Sequence, residues 1–247
     1  CIVVGAGTEY LYHMLIQFLG RERCYAVEDP GYGKIPQIYQ MNGAAFCYVS
    51  MDRRGIRMDE LAQSGVSVVH ISPSHHFPTG TVTTLARRQE LLRWSQATAD
   101  RFILEDDYDS EFRFTGRPIP PLQSLDTGGR TIYLNTFSKT ISPAFRISYL
   151  VLPPQLVAVY TQRMAFYSTT VPALEQYVLA RFLQGGYFAR HLGRMKRFYR
   201  ARRDEILAAI GQSSLSRRAE VLEADAGLHL LLRLKTDHTD DELRQSA

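Results

Sequence analysis

Through the first two-thirds of the chain, short apolar runs alternate with stretches whose apolar residues recur at helical spacing. The run IVVGAG leads into a segment in which Leu11, Met14, Leu15, Phe18 and Leu19 repeat at i, i+3, i+4, i+7 and i+8, the pattern of one buried helix face. CYAVED follows, then a helix after Gly31-Tyr32, AFCYV, a short helix from Met58, and VSVVHIS. A helix over about 84–99 precedes RFILED, TIYLNTFS and ISYLVLP. Apolar runs bounded by Gly, Pro, Asp and Ser belong to strands covered on both faces. Strands separated by helices predict an α/β fold with a mostly parallel central sheet and flanking helices.

From Pro154 the pattern turns helical, with one helix over 154–167, a second after Pro172 and a long one over about 187–210. The strand-like ending EVLEADAGLHLLLRL opens a smaller α+β unit. The expected organisation is a large domain over 1–153, a helical continuation over 154–210, and the beginning of a small C-terminal domain over 211–247. The chain opens at Cys1 inside an apolar run and closes at DDELRQSA as a new helix starts, so it reads as a piece of a longer protein.

Composition narrows the class. With 247 residues, 45% hydrophobic and 22% charged, the chain is neither disordered nor low in complexity. No apolar run approaches the roughly 20 residues that span a bilayer, so no membrane association is expected. Cys1, Cys24 and Cys47 are too scattered for a disulfide framework; Cys24 and Cys47 lie in apolar runs and read as buried free thiols in a reducing, cytoplasmic setting. A net charge of +4 licenses little about nucleic acid. Seven Lys and Arg do fall between Arg190 and Arg203, but Leu192, Met195, Tyr199, Ile206 and Ile210 form an apolar stripe on the same helix. That helix reads as packed on one side and solvated on the other, rather than as a DNA-binding surface.

In an open α/β sheet, ligands bind beyond the carboxyl ends of the strands. The informative residues fall there: Gly7-Thr8 after the first run, then the string from Pro73 to Gly80 that includes His75 and His76. Glu105-Asp106-Asp107-Tyr108, Thr136-Phe137-Ser138-Lys139 and Arg146 follow the later runs. Each has a plain reading when taken alone. GAG before a helix is a weak dinucleotide signal but a natural anion seat, because a helix start presents free N–H groups. The carboxylates at 105–107 suit either a divalent ion or a solvated loop. His75-His76 lacks the i, i+4 spacing of helical metal ligands and reads as a pair of stacking or hydrogen-bonding groups, so no metal site is predicted. Together the residues form a different kit. An amine, a carboxylate, a phenol, an arginine and small hydroxyls converge on one sheet edge. This is what a phosphate-bearing aromatic aldehyde requires.

The string NTFSKTISPAFRISYLVLP resembles the Schiff-base segment of fold-type I pyridoxal-phosphate (PLP) enzymes. VEDPGY, ISPSHHFPTG and LEDDYDSEFRF are similar to blocks of one subgroup, the MocR/GabR-type regulators, in which a GntR-like winged-helix DNA-binding domain is fused to an aminotransferase-like domain. The resemblance implies that Lys139 forms the internal aldimine. It places Arg146, Ser138, Thr136, Gly7 and Thr8 around the phosphate, Asp106 at the pyridine nitrogen, Tyr108 at the ring oxygen and Tyr32 near ring and ligand. Phe77 stands where ordinary aminotransferases carry the Asn of NPTG, and His75 is the expected replacement at the ring oxygen. His76 stands where the subgroup is expected to have Gln. Lys34 reads equally as a second cation for a ligand and as a surface lysine, and the substrate-carboxylate arginine is expected beyond Ala247. The implied protein is a homodimeric sensor of a small amine or amino acid, touching DNA only through a domain absent from this chain. A free-standing aminotransferase is the alternative, although transamination by this chain is expected to be weak or absent.

Overall fold

The computed structural model describes residues 1–116 and 119–246; Ala247, the end of the expected C-terminal unit, lies outside them. The chain runs β1 (Ile2–Gly5), α1 (Thr8–Leu19), β2 (Cys24–Asp29), α2 (Lys34–Met41), β3 (Ala45–Asp52), β4 (Gly55–Ile56), α3 (Met58–Gln63), β5 (Val68–Ile71) and α4 (Leu85–Gln96). It continues through β6 (Phe102–Asp106), α5 (Leu122–Leu125), β7 (Thr131–Thr136), β8 (Ser148–Val151), α6 (Pro154–Met164) and α7 (Ala173–Gln184). The last elements are α8 (Tyr187–Gln212), α9 (Leu215–Arg218), β9 (Ala219–Leu222), β10 (Leu231–Leu234) and α10 (Asp240–Ser246).

Eight strands form one sheet in the order β1-β8-β7-β6-β5-β2-β3-β4. β7, β6, β5, β2 and β3 pair in parallel, while β8 runs antiparallel to both β7 and β1. This is the mostly parallel α/β sheet expected from the apolar runs. Its two faces are buried separately. Leu11, Leu15 and Phe18 of α1 pack with Leu104, Ile132 and Leu134 on one face. Leu91 and Trp94 of α4 pack with Val69, Ile71 and Ile103 on the other.

The period of two along a strand now decides which side chains can meet. In β6, Phe102 and Leu104 belong to the α1 face and Ile103 to the α4 face. Asp106 therefore emerges on the α1 side and Glu105 on the α4 side. Glu105 is completely buried there, accepting from the N–H groups of Leu122 and Gln123 and lying 3.5 Å from the buried Arg88. The same parity in β7 carries Thr136 to the α1 side after Ile132 and Leu134. α4 starts where Thr84 accepts from the Arg87 N–H at 3.3 Å, an N-cap that satisfies one of the orphan donors of the first turn.

Some expectations shift. Cys24 and Cys47 are free, but both are half-buried rather than buried. The apolar stripe of α8 is only partly covered: none of its residues is fully buried, and Ile206 is 50% exposed. Part of its positive charge is tied locally, with Arg200 donating to the Phe114 carbonyl at 2.7 Å and Arg202 pairing with Glu205 at 2.7 Å. The strand-like ending resolves into the antiparallel pair β9–β10. No helix among the described residues is long and apolar enough to cross a membrane.

Candidate functional site

A cleft of about 300 Å³ opens on the α1 side, beyond the carboxyl ends of β6 and β7. Asp106, Tyr108, Thr136, Ser138, Lys139 and Arg146 line it from the strand ends, Thr8 from the start of α1 and Tyr32 from the loop after β2. Eight of the ten residues expected around the cofactor therefore share one cleft, with Lys34 and Phe77 beside them. Gly7 and His75 do not line it but stand directly behind residues that do.

Asp106 forms the floor. Its Oδ2 accepts a short hydrogen bond from the buried Tyr12 hydroxyl, while its Oδ1 is buried without a hydrogen-bond partner. Burial, reinforced by the Asp106 charge, drives the Tyr12 phenol well above its ordinary pKa, so it stays a proton donor at neutral pH. The His70 ring stands edge-on to Tyr12 at 4.9 Å, with its Nε2 3.9 Å from Asp106 Oδ2. An unmet buried carboxylate oxygen is a costly feature and calls for an N–H donor. Tyr12 escaped the sequence reading because it sits at the margin of an apolar stripe, where a tyrosine reads as core.

The cationic end is built by close approach. Gly7 has φ +96°, and a Cβ there would come within 2.1 Å of Arg146 Nη2, so only glycine lets the guanidinium lie against the start of α1. Arg146 itself adopts a left-handed backbone, φ 45° and ψ 25°, at the end of a short 3-10 turn over Pro143–Phe145. Left-handed non-glycine residues cost roughly 1–2 kcal/mol and cluster at functional sites. Ser138 and Ser148 are threaded through Thr136 Oγ1, at 3.0 and 2.8 Å, which fixes the turn that carries Lys139. Lys139 makes no hydrogen bond or ion pair among the described residues.

Glu9, unremarked in the sequence, bridges the two cations of the cleft mouth. Its carboxylate takes Lys34 at 3.1 Å and Arg146 at 2.7 Å. The Lys34 hydrogen bond, aided by Arg146, holds the Glu9 carboxyl below its ordinary pKa. Lys34 is thus engaged at the cleft mouth rather than free in solvent.

Tyr108 is raised above the usual phenol range by burial and by the nearby Asp109 carboxylate, which keeps its proton in place. His75 sits behind it, with Nδ1 3.5 Å from the Tyr108 hydroxyl and 2.9 Å from Asp109 Oδ2. It therefore stands one layer back from the position expected of a ring-oxygen donor. Phe77, 42% exposed, forms the cleft wall edge-to-face with Tyr32 at 5.7 Å. His76 turns away from the cleft: its Nδ1 meets Thr79 Oγ1 at 2.8 Å and its Nε2 lies 3.4 Å from Glu28. Burial lowers the His76 pKa to about 4 and raises that of Glu28 to about 8.

Residues 1–246 match the family described as aminotransferase class I and II. The chain belongs to that family. It is 39% identical over its whole length to the uncharacterized HTH-type transcriptional regulator YhdI of Bacillus subtilis, covering 52% of that protein. It is 34% identical to the probable rhizopine catabolism regulatory protein MocR of Rhizobium meliloti, again over all of this chain and 50% of the relative. The HTH-type pyridoxine biosynthesis regulator PdxR of Corynebacterium glutamicum is 32% identical over 94% of this chain and 50% of its own. The chain thus spans about half the length of these curated relatives, and the MocR-type resemblance of its four blocks is borne out. Among solved structures, the kynurenine aminotransferase of Pyrococcus horikoshii superposes with a TM-score of 0.83 at 25% identity, covering 99% of this chain and 62% of that one. The multiple substrate aminotransferase of Thermococcus profundus gives 0.82 at 27% identity over the same shares. The fold is that of these aminotransferases.

Proposed function

We propose that this chain is the PLP-binding, amine- or amino-acid-sensing part of a transcription regulator. The observation that carries the reading is the cleft itself, where an unpartnered buried Asp106 oxygen, an unengaged Lys139 amine and the Gly7–Arg146 contact stand together. The HTH-type regulators among its relatives supply the context.

The residues present fit the cofactor. Arg146, the N–H groups at the start of α1 and the hydroxyls of Thr8, Thr136 and Ser138 would hold the phosphate. Asp106 Oδ1 would accept from the pyridine N–H, and Tyr12, by occupying Oδ2, fixes the carboxylate for that single acceptor role. Tyr108 would donate to the ring oxygen, and Asp109 through His75 orients that region from behind. Lys139 would carry the cofactor covalently. PLP, when bound, supplies an aldehyde that combines with amines and a ring that withdraws electrons. Lys139 Nζ is also the group placed to move a proton at the ligand's α-carbon. Lys34, beside Tyr32 at the mouth, is the cation within this chain for a ligand's carboxylate.

In this reading an amine or amino acid would enter the cleft beside Lys139 and shift the conformation of the chain, and DNA affinity would change because the two states bind DNA differently. DNA contact would belong to the part of such a regulator that this chain does not match, and the whole protein would work as a homodimer in the cytoplasm. The test mixes the full-length protein with PLP and a panel of amines and amino acids. One arm follows keto-acid release and the other operator binding. The expected result is a ligand-dependent change in operator affinity with little turnover. Sustained transamination with no ligand effect on DNA would instead assign a free-standing aminotransferase activity.

A further inference from the structure

We propose that His75, Asp109 and His229 form a binding site for a divalent transition-metal ion of the zinc class, seated behind the Tyr108 phenol. Three distant segments supply the ligands: the loop after β5, the loop after β6, and the approach to β10. One ligand atom from each residue lies within 4.8 Å of the others. His75 and Asp109 are each 2% exposed, so this is a built interior cluster and not a patch of surface acids.

The nitrogen atoms make the stronger case. His229 Nε2 is buried and has no hydrogen-bond partner. An unmet imidazole nitrogen on a ring whose centroid lies 4.2 Å from that of His75 is unfavourable unless an acceptor for its lone pair joins it. His75 Nδ1 and Asp109 Oδ2 stand 2.9 Å apart, a separation that one ion can bridge in place of the proton between them. The His229 ring is hydrogen-bonded to the backbone of Pro78, which can only accept. A ring steered by a carbonyl while its second nitrogen points inward is the usual outer support of a metal-bound histidine. The Leu228 N–H, 3.3 Å from Asp109 Oδ2, holds the carboxylate in turn.

The backbone has been cleared for this arrangement. Gly227 has φ +69°, and a Cβ there would overlap the His75 ring at 1.8 Å. Only glycine lets the segment before β10 come close enough for His229 to reach the other two residues. Two imidazoles and one carboxylate form a donor set for a borderline divalent ion, with a fourth position left to water. Such an ion would tie the C-terminal hairpin to the loop that carries Tyr108, so that its presence fixes the wall of the cleft from behind.

The test uses tag-free, full-length protein, stripped of metal with a chelator and kept free of PLP, which binds metals itself. Zinc is added at micromolar concentration, and bound metal is counted by mass spectrometry after dialysis. Cobalt(II) is added in parallel and its visible d–d bands recorded. The expected result is one ion per chain, with a cobalt spectrum showing nitrogen and oxygen ligands in a low-symmetry site. His229→Gln, at the partly exposed member, should keep the fold by circular dichroism and weaken binding roughly 10–100-fold. Asp109→Asn provides a second variant from another segment. Failure of the folded wild type to retain stoichiometric zinc or cobalt would overturn the site, as would equal binding by folded His229→Gln.

Discussion

Glu9 is the residue whose role is least visible in sequence and most exposed to test. It neutralises Arg146 and Lys34 at the mouth of the cleft, in the place where a phosphate would need Arg146. Removing its charge while keeping its shape should free the guanidinium and end repulsion of an incoming dianion. Glu9→Gln is therefore expected to tighten PLP binding by about 3–10-fold, roughly 1 kcal/mol, as read by fluorescence titration of the full-length protein. Weaker binding in that variant would contradict the competition. Glu28 offers a pH test. Its carboxyl is pushed up to about 8 by burial, against an ordinary value of 4.5, so the folded chain keeps a proton that the unfolded chain loses. Between those values the folded state binds more protons, and stability falls as pH rises. Glu28→Gln retains an acceptor for the Ser72 N–H, which lies 2.9 Å from the native carboxylate. Its thermal midpoint should approach that of the wild type at about pH 4.5 and exceed it increasingly up to about pH 8. A difference that stays constant across that range would refute the assignment.

The elements differ in how clearly the sequence announces them. Strands β2, β5, β6 and β7 were legible because each is an apolar run longer than one structural period. α1 was legible because five apolar residues repeat on one face. β4, α5 and the 3-10 turn before Arg146 were not, since two to four residues carry no period. For the same reason the left-handed backbone of Arg146 left no trace. The cleft residues were legible as strand-end chemistry, yet their supports were not: Tyr12 and His229 act on Asp106 and His75 across 94 and over 100 residues of chain, respectively, and nothing local marks them. Arg88 is a support of this kind at the scale of elements. Fully buried in α4, it donates to the carbonyls of Pro73 at 2.8 Å, Thr83 at 3.1 Å and Pro120 at 3.0 Å, joining both ends of the loop before α4 to the loop before α5. Arg88→Met should cost about 3–5 kcal/mol in urea denaturation, because it leaves these carbonyls buried without their donor and Glu105 without its ion-pair partner. A loss below about 1 kcal/mol would show that the loops hold one another without it.

At the scale of the whole molecule, the sheet places one cleft on its α1 side while the helices after Pro154 leave broad apolar surface uncovered. Phe166, Leu174 and Tyr177 are 77%, 75% and 68% exposed. Phe166 just follows α6, and Leu174 and Tyr177 lie on α7; this is surface that the proposed dimer would cover. The functional reading nevertheless rests on the cleft, and within the cleft on one amine. The most direct measurement is borohydride reduction of the PLP-loaded full-length protein, followed by peptide mapping. The account predicts a single pyridoxyl label on Lys139, lost in Lys139→Ala while the variant stays folded. A label on Lys34 instead, or no label on a folded, PLP-treated sample, would contradict it.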